Sequence, residues 1–185
     1  MSRTRLTGGF RPGLLAAGLA LALAAPAAGL RAGGPSPAGQ DEDALKAEVL
    51  KLNGLKTEPD QLKALRALVK DREKAKKAVA LGVRLQKDAK GADKPLDFSG
   101  AYVLGRAAHV VKDYDAAAYL LEYSADTATK AERGEQMIQA FDGLVDLYMD
   151  QRKWQDAVDV CERVAEMKGP REVEDVQPFF LERLV

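Results

Sequence analysis

Cysteine, histidine and tryptophan each occur once among the 185 residues, and aromatic residues make up only 6% of the sequence. The single cysteine, Cys161, excludes an intramolecular disulfide and any metal site made of paired cysteines. The single histidine, His109, has no neighbour in the sequence with which it would form a catalytic or metal-binding pair. We therefore predict no catalytic residues, no metal and no cofactor, and we expect Cys161 to be a core residue.

The sequence motifs of common enzymes are missing as well. The chain has no glycine-rich phosphate loop, no GxSxG turn and no HExxH helix. Carboxylates are plentiful, but they lie on polar helix faces, where nothing indicates the burial that shifts a pKa. These absences favour a protein that is not an enzyme.

Long apolar runs are also lacking. The apolar run near the N-terminus, Leu14–Ala25, is shorter than the roughly 20 residues that a membrane-spanning helix needs. Arginines precede it, and Ala25-Pro26-Ala27 has the pattern of a cleavage site. This layout predicts a secretory signal peptide at 1–32, with a retained membrane anchor as the alternative. Residues 33–40 predict a flexible linker. We expect an exported bacterial protein of the periplasm, cell envelope or extracellular space, which meets the membrane only transiently through its signal peptide.

Acidic residues are few in one segment of the chain and basic residues are outnumbered in another, although the totals of 28 basic and 28 acidic residues are equal. Residues 61–94 carry 11 basic and 4 acidic side chains, whereas residues 112–185 carry 9 basic and 17 acidic ones. This split indicates either two solvated faces or a polar partner, which includes self-association through opposite charges. A nucleic-acid partner is not expected, because the export signal and the acidity of the chain after residue 32 oppose it.

Strand signals are absent from Asp41 onward, whereas helix signals are dense. Thr57 and Asp71 have the positions of helix N-caps. Thr129 and Glu132 have the spacing of a capping box before a long helix that ends near residue 150. The sequence therefore predicts an all-α protein whose residues 41–96 form an N-terminal helical cap.

Two stretches of the chain, beginning at residues 101 and 141, can be overlaid at an offset of 40 residues. Leu104 then falls on Leu144 and Ala117 on Ala157. Self-similarity at a fixed period is typical of stacked helical repeats. Small residues such as Ala117 and Ala157 fit positions where two helices approach closely.

Residues 101–169 resemble two tetratricopeptide (TPR) repeats. The positions that carry the resemblance are Ala101, Leu104, Gly105, Ala108, Ala117, Leu121 and Ser124 in the first repeat. In the second they are Phe141, Leu144, Val145, Tyr148, Ala157, Cys161 and Val164. The resemblance implies antiparallel helix pairs stacked as a TPR-like α-solenoid over 97–185. Its parts would be 97–129, 130–170 and the start of a third repeat at 171–185.

The resemblance also implies a partner-binding groove on the inner faces of the first helices. The corresponding positions are Tyr102, Arg106, His109, Asp142, Asp146, Met149 and Asp150. The three aspartates, here called the aspartate stripe, follow one another at intervals of four residues. Like charges at that spacing destabilise a helix by about 0.2–0.5 kcal/mol per pair. The stripe therefore indicates either a site for a basic ligand or a merely exposed acidic helix.

Together these features predict an exported, non-enzymatic protein–protein interaction module, an adaptor or scaffold whose groove takes a protein or peptide partner. The alternative is a docking or regulatory segment of a larger exported enzyme, of which this chain would be an N-terminal fragment.

Overall fold

The computed structural model describes residues 37–89, 95–167 and 177–182. These residues form eight helices and no strands, which confirms the all-α prediction. The helices are α1 (Pro37–Leu50), α2 (Glu58–Val69), α3 (Arg72–Asp88), α4 (Phe98–Val111), α5 (Tyr114–Lys130), α6 (Gly134–Asp150), α7 (Trp154–Ala165) and α8 (Gln177–Glu182). The predicted signal peptide at 1–32 lies outside the described residues.

Polar side chains begin four of the helices. Thr57, Asp71, Asp97 and Asp113 each accept a hydrogen bond from the backbone N–H three residues ahead. A cap of this kind satisfies one of the amide groups that the first helical turn leaves unpaired. The predicted caps at Thr57 and Asp71 are therefore confirmed.

The predicted capping box at Thr129 and Glu132 is wrong. Helix α5 continues to Lys130, and the Thr129 hydroxyl donates to the Ala125 carbonyl at 2.8 Å, so it is not available to cap the next helix. Helix α6 begins after Arg133, whose side chain makes no cap hydrogen bond. Helix α1 also begins earlier than expected, at Pro37, and so takes in the last four residues of the segment predicted as a linker.

The turns after α4, α5 and α6 share one geometry. Each contains a non-glycine residue with a positive φ: Lys112 at 67°, Glu132 at 53° and Arg152 at 58°. In each turn the next residue donates its backbone N–H to the carbonyl five residues before it. This pattern closes a helix end, and glycine is the residue that usually occupies its left-handed position. The three connections are therefore tight, and each folds a helix back against its predecessor.

Each helix from α2 to α7 contacts the next one along the chain, and α4 also contacts α2 and α6. Helices α2 and α3 both contact α4, just as α4 and α5 both contact α6. Helix α2 begins at Glu58 and α4 at Phe98, which is again an offset of 40 residues. The segment predicted as an N-terminal cap, 41–96, thus contains a helix pair that packs on its successor as the later pairs do.

Small residues allow the close approach of α4, α5 and α6. A Cβ atom on Gly105 would lie 2.9 Å from Leu121 Cγ, and one on Gly143 would lie 3.2 Å from Leu121 Cδ2. Leu121 of α5 is fully buried, and it packs against Gly105 of α4 and Gly143 of α6. The approach is closest at Gly105. The counterpart of Leu121 at the 40-residue offset, Cys161, is also buried, as predicted for a core residue.

Helix α8 packs against α7, and its Phe180 ring contacts Phe141 edge-on with 6.3 Å between centroids. Pro178 lies in the first turn of this helix, where the missing N–H of proline is tolerated. Within the three described ranges, no helix has the length and apolar character that crossing a membrane requires.

Candidate functional site

The C-terminal halves of α2, α4 and α6 together line a cleft of about 550 Å³, here called the helix-end cleft. Five of the seven residues predicted for the groove line it: Arg106, His109, Asp146, Met149 and Asp150. They come together because α4 and α6 contact each other, so that equivalent positions of the two helices are neighbours. The cleft is thus built from the first helix of each consecutive pair.

The other two predicted residues, Tyr102 and Asp142, lie one helical turn before the cleft, on α4 and α6. Tyr102 is only 8% exposed, and its ring stacks on Phe98 with 5.7 Å between centroids. Burial raises the pKa of Tyr102; Arg106 partly offsets this effect, and the charges of Glu58 and Asp146 add to it. Asp142 is half-buried. Tyr102 therefore belongs to the packed base of the inner face.

The aspartate stripe has partners on the neighbouring helices. Asp146 Oδ2 lies 3.4 Å from Arg106 Nη1, and Asp150 Oδ2 lies 3.4 Å from His109 Nε2. The Tyr114 hydroxyl, at the start of α5, donates to the same Asp150 oxygen at 3.1 Å. Partial burial and then this hydrogen bond raise the pKa of Tyr114. The repulsion along α6 is therefore offset by contacts between helices, and this part of the stripe has a structural role within the chain.

Apolar side chains occupy the space between these charges. Val110 is 56% exposed and Met149 45% exposed, and Leu65 of α2 lines the cleft beside them. Exposed apolar residues that adjoin charged ones are typical of surfaces that bind a partner. The helix-end cleft is therefore amphipathic, with apolar side chains beside the aspartates and their partners.

Sequence reasoning missed three residues of the cleft: Leu65, Val110 and Lys112. Val110 lies four residues after Arg106 and therefore on the same face of the helix. The sequence pattern could have predicted it if the groove had been continued by one helical turn. Lys112 lies in the turn after α4, where the sequence carries no glycine to mark the turn. Leu65 lies on α2, and nothing in the sequence indicated that α2 stands beside α4 as a further first helix.

Across 37–89, 95–167 and 177–182, no group of three or more histidine, cysteine or acidic side chains is placed to hold a metal ion. Cys161 lies in the core, and burial raises the pKa of its thiol, which disfavours the reactive thiolate. The cleft itself offers one ion pair, one imidazole and apolar surface.

Comparisons with protein-family models, with curated proteins and with solved structures find no match to this chain. The resemblance to TPR repeats therefore stays a prediction from the sequence.

Proposed function

We propose that the chain is an exported, non-enzymatic protein–protein interaction module. Its pairs α2/α3, α4/α5 and α6/α7 form a TPR-like α-solenoid, and the helix-end cleft takes a segment of a partner protein. The consecutive contacts between helices and the 40-residue offset between α2 and α4 support the solenoid. The proposed export rests on the basic and apolar pattern of residues 1–32.

One observation carries the binding proposal: exposed apolar side chains lie on the inner face between three packed helices. Val110 and Met149 keep about half of their surface in water, whereas their neighbours Leu104 and Leu144 on the same helices are fully buried. Covering exposed apolar surface is favourable by roughly 25 cal/mol per Å². A partner that covers these two side chains would gain that free energy. Because the tight turns already hold the helices in place, little free energy is spent on ordering the cleft when the partner binds.

The charged pairs around the apolar surface give the cleft its selectivity. Arg106 and Asp146 present both signs of charge, so the partner segment carries an apolar side chain flanked by polar ones. We propose no chemical step and no nucleic-acid partner. Self-association through the basic residues at 61–94 and the acidic residues at 112–185 is a further proposal that follows from the charge split.

Affinity capture from an envelope extract tests the proposed function. Residues 35–185 serve as bait, in the native form and as the double variant Val110→Glu/Met149→Glu, and bound proteins are quantified by mass spectrometry. Because both side chains are exposed, the double variant folds and loses the partner. The control is Trp154→Gln, which changes an exposed apolar residue that does not line the cleft and retains the partner. Equal recovery with the double variant and the native bait would exclude the cleft as the binding site.

A further inference from the structure

A second cavity lies at the other end of the same inner face. The first turns of α2 and α6, with the residues just before α2, enclose about 490 Å³, here called the N-terminal pocket. The side chains that matter for its chemistry are Lys56, Glu58, Gln61, Glu135, Ile138 and Gln139. The pocket thus stands between the first helices of two pairs, as the helix-end cleft does, but at their opposite ends.

Two glutamine side chains in this pocket have an unpaired acceptor. Gln61 is only 2% exposed, and its Nε2 donates to the Leu55 carbonyl at 3.2 Å, which fixes the orientation of the amide. Gln61 Oε1 is left buried, with no hydrogen-bond partner among the described residues. Gln139 Oε1, on the facing helix α6, is in the same state. Burying an acceptor without a donor is unfavourable, so each oxygen would be stabilised by a donor that entered the pocket and reached it.

The charge of the pocket favours a cationic donor. Glu58 and Glu135 lie in the first turns of α2 and α6, and Lys56 is the one basic residue among the described residues that line the pocket. The N-terminus of α6 has no side-chain cap and would by itself favour an anion, but Glu135 in the same turn already supplies negative charge there. The described side chains that line the pocket carry two negative charges and one positive charge, so their formal sum is negative.

Among cationic side chains, arginine fits this set best. The guanidinium group is flat, carries five N–H donors and is weakly hydrated, so it can donate to several acceptors at once. The lysine ammonium is more strongly hydrated, and it leaves water less readily. Ile138 offers the apolar contact on which a flat group can lie.

We propose that the N-terminal pocket binds an arginine side chain of the partner, with Gln61 and Gln139 as acceptors and Glu58 and Glu135 as counter-charges. This inference rests on the proposed function in one respect: the same partner segment reaches both the helix-end cleft and the N-terminal pocket. Gln139 precedes Asp146 by seven residues of α6, which corresponds to about 10 Å along the helix. An extended chain covers that distance in about three residues. The partner segment therefore carries its arginine about three residues from the apolar side chain that enters the cleft.

Nuclear magnetic resonance of the ¹⁵N-labelled full chain tests this proposal with N-acetyl-arginine N-methylamide as the probe. Saturable shifts are expected for the side-chain amides of Gln61 and Gln139 and for the backbone amides of Glu135 and Gln136. The exposed side chain of Gln155 on α7 is the internal control and does not shift. The corresponding lysine derivative binds at least about threefold more weakly, because its ammonium meets fewer acceptors.

Variants that leave the core intact complete the test. Gln139→Leu weakens the probe about tenfold, because one of the two acceptors is lost. Glu135→Gln weakens it about threefold, whereas Glu166→Gln, an exposed change outside the pocket, has no effect. Absence of saturable shifts, equal binding of the lysine derivative or of N-acetyl-glutamate N-methylamide, or indifference to Gln139→Leu would each overturn the proposal. Failure here leaves the capture test on Val110 and Met149 untouched, so the two proposals fail separately.

Discussion

Arg106 of α4 and Asp146 of α6 stand forty residues apart and form an ion pair, with 3.4 Å between Nη1 and Oδ2. Their side chains are 27% and 36% exposed, so the pair is only partly screened by water. The same offset that aligns the two halves of the sequence thus brings opposite charges into contact on neighbouring first helices. The pair also lies in the helix-end cleft, which links the repeat to the proposed binding surface.

A double-mutant cycle on this pair measures its contribution to stability. Arg106→Met and Asp146→Asn are each expected to lower the free energy of unfolding, and the double variant to lose less than their sum. The expected coupling is about 0.5–1 kcal/mol, the upper part of the range for exposed pairs. Urea denaturation of the four proteins gives this value. A coupling of zero would show that the two side chains do not interact in solution.

Replacing Glu132 with glycine is expected to stabilise the protein. Glu132 has φ of 53°, a left-handed conformation that is unfavourable for residues with a Cβ atom. The variant should gain about 0.5–1 kcal/mol in the free energy of unfolding, since part of the relief is lost to the greater freedom of unfolded glycine. Glu162→Gly, inside α7, is the matched control and should lose about the same amount. A loss of stability in Glu132→Gly would contradict the turn geometry.

Adding a methyl group at Gly105 is expected to disturb the packing of α4 on α5. The new Cβ atom would lie 2.9 Å from Leu121 Cγ and 3.2 Å from the Leu121 backbone nitrogen, neither of which can move freely. Gly105→Ala should therefore lower the free energy of unfolding by about 1–3 kcal/mol, despite the better helix propensity of alanine. At Gly143 the nearest atom is Leu121 Cδ2 at 3.2 Å, the end of a flexible side chain, so Gly143→Ala should be nearly neutral. Thermal unfolding of both variants tests the contrast, and equal losses would refute it.

Tyr102 is expected to contribute to alkaline sensitivity. Its pKa is raised in the folded protein, mainly by burial, so the folded state holds this proton more tightly than the unfolded state does. The associated stability is fully present below the unfolded pKa of about 10 and is lost as the pH rises through the folded pKa. Between about pH 9 and 11, a range centred on the ordinary tyrosine pKa, the free energy of unfolding of Tyr102→Phe should therefore fall less than that of the native protein. Urea denaturation at several pH values measures this difference. Identical pH profiles for the two proteins would contradict a buried Tyr102 hydroxyl.

The sequence predicted the all-α class, and five of the residues that it assigned to a groove line the helix-end cleft. Two periodicities were enough for this. Helical spacing placed Arg106 and His109 on one face of α4, and the 40-residue offset placed Asp146 and Asp150 on the matching face of α6. Their contact then required only that α4 and α6 be neighbours. The aspartate stripe appeared repulsive in the sequence because its partners stand on other helices, at separations of 36 to 41 residues.

The remaining features had no local signal. The turn at Glu132 contains no glycine, so the nearby Thr129 resembled a helix cap, although its hydroxyl bonds back to Ala125. At the 40-residue offset, α2 and α4 begin at matching positions, and each follows a side chain that caps it. Few of their core residues are of the same type, so the sequence did not reveal that α2 is related to the later first helices. The N-terminal pocket depends on Gln61 and Gln139, two polar residues of separate helices whose side-chain oxygens are buried in the folded chain.

Site-specific photo-cross-linking in cells tests the central claim most directly. A photoreactive phenylalanine analogue replaces Val110 in the helix-end cleft, and the same analogue replaces Trp154 outside it as the control; both native side chains are 56% exposed. If the cleft binds a partner protein, irradiation yields an adduct of one discrete mass at position 110 and none at position 154. Adducts at position 154 alone, or no adduct at position 110, would contradict the assignment of the cleft as the binding surface.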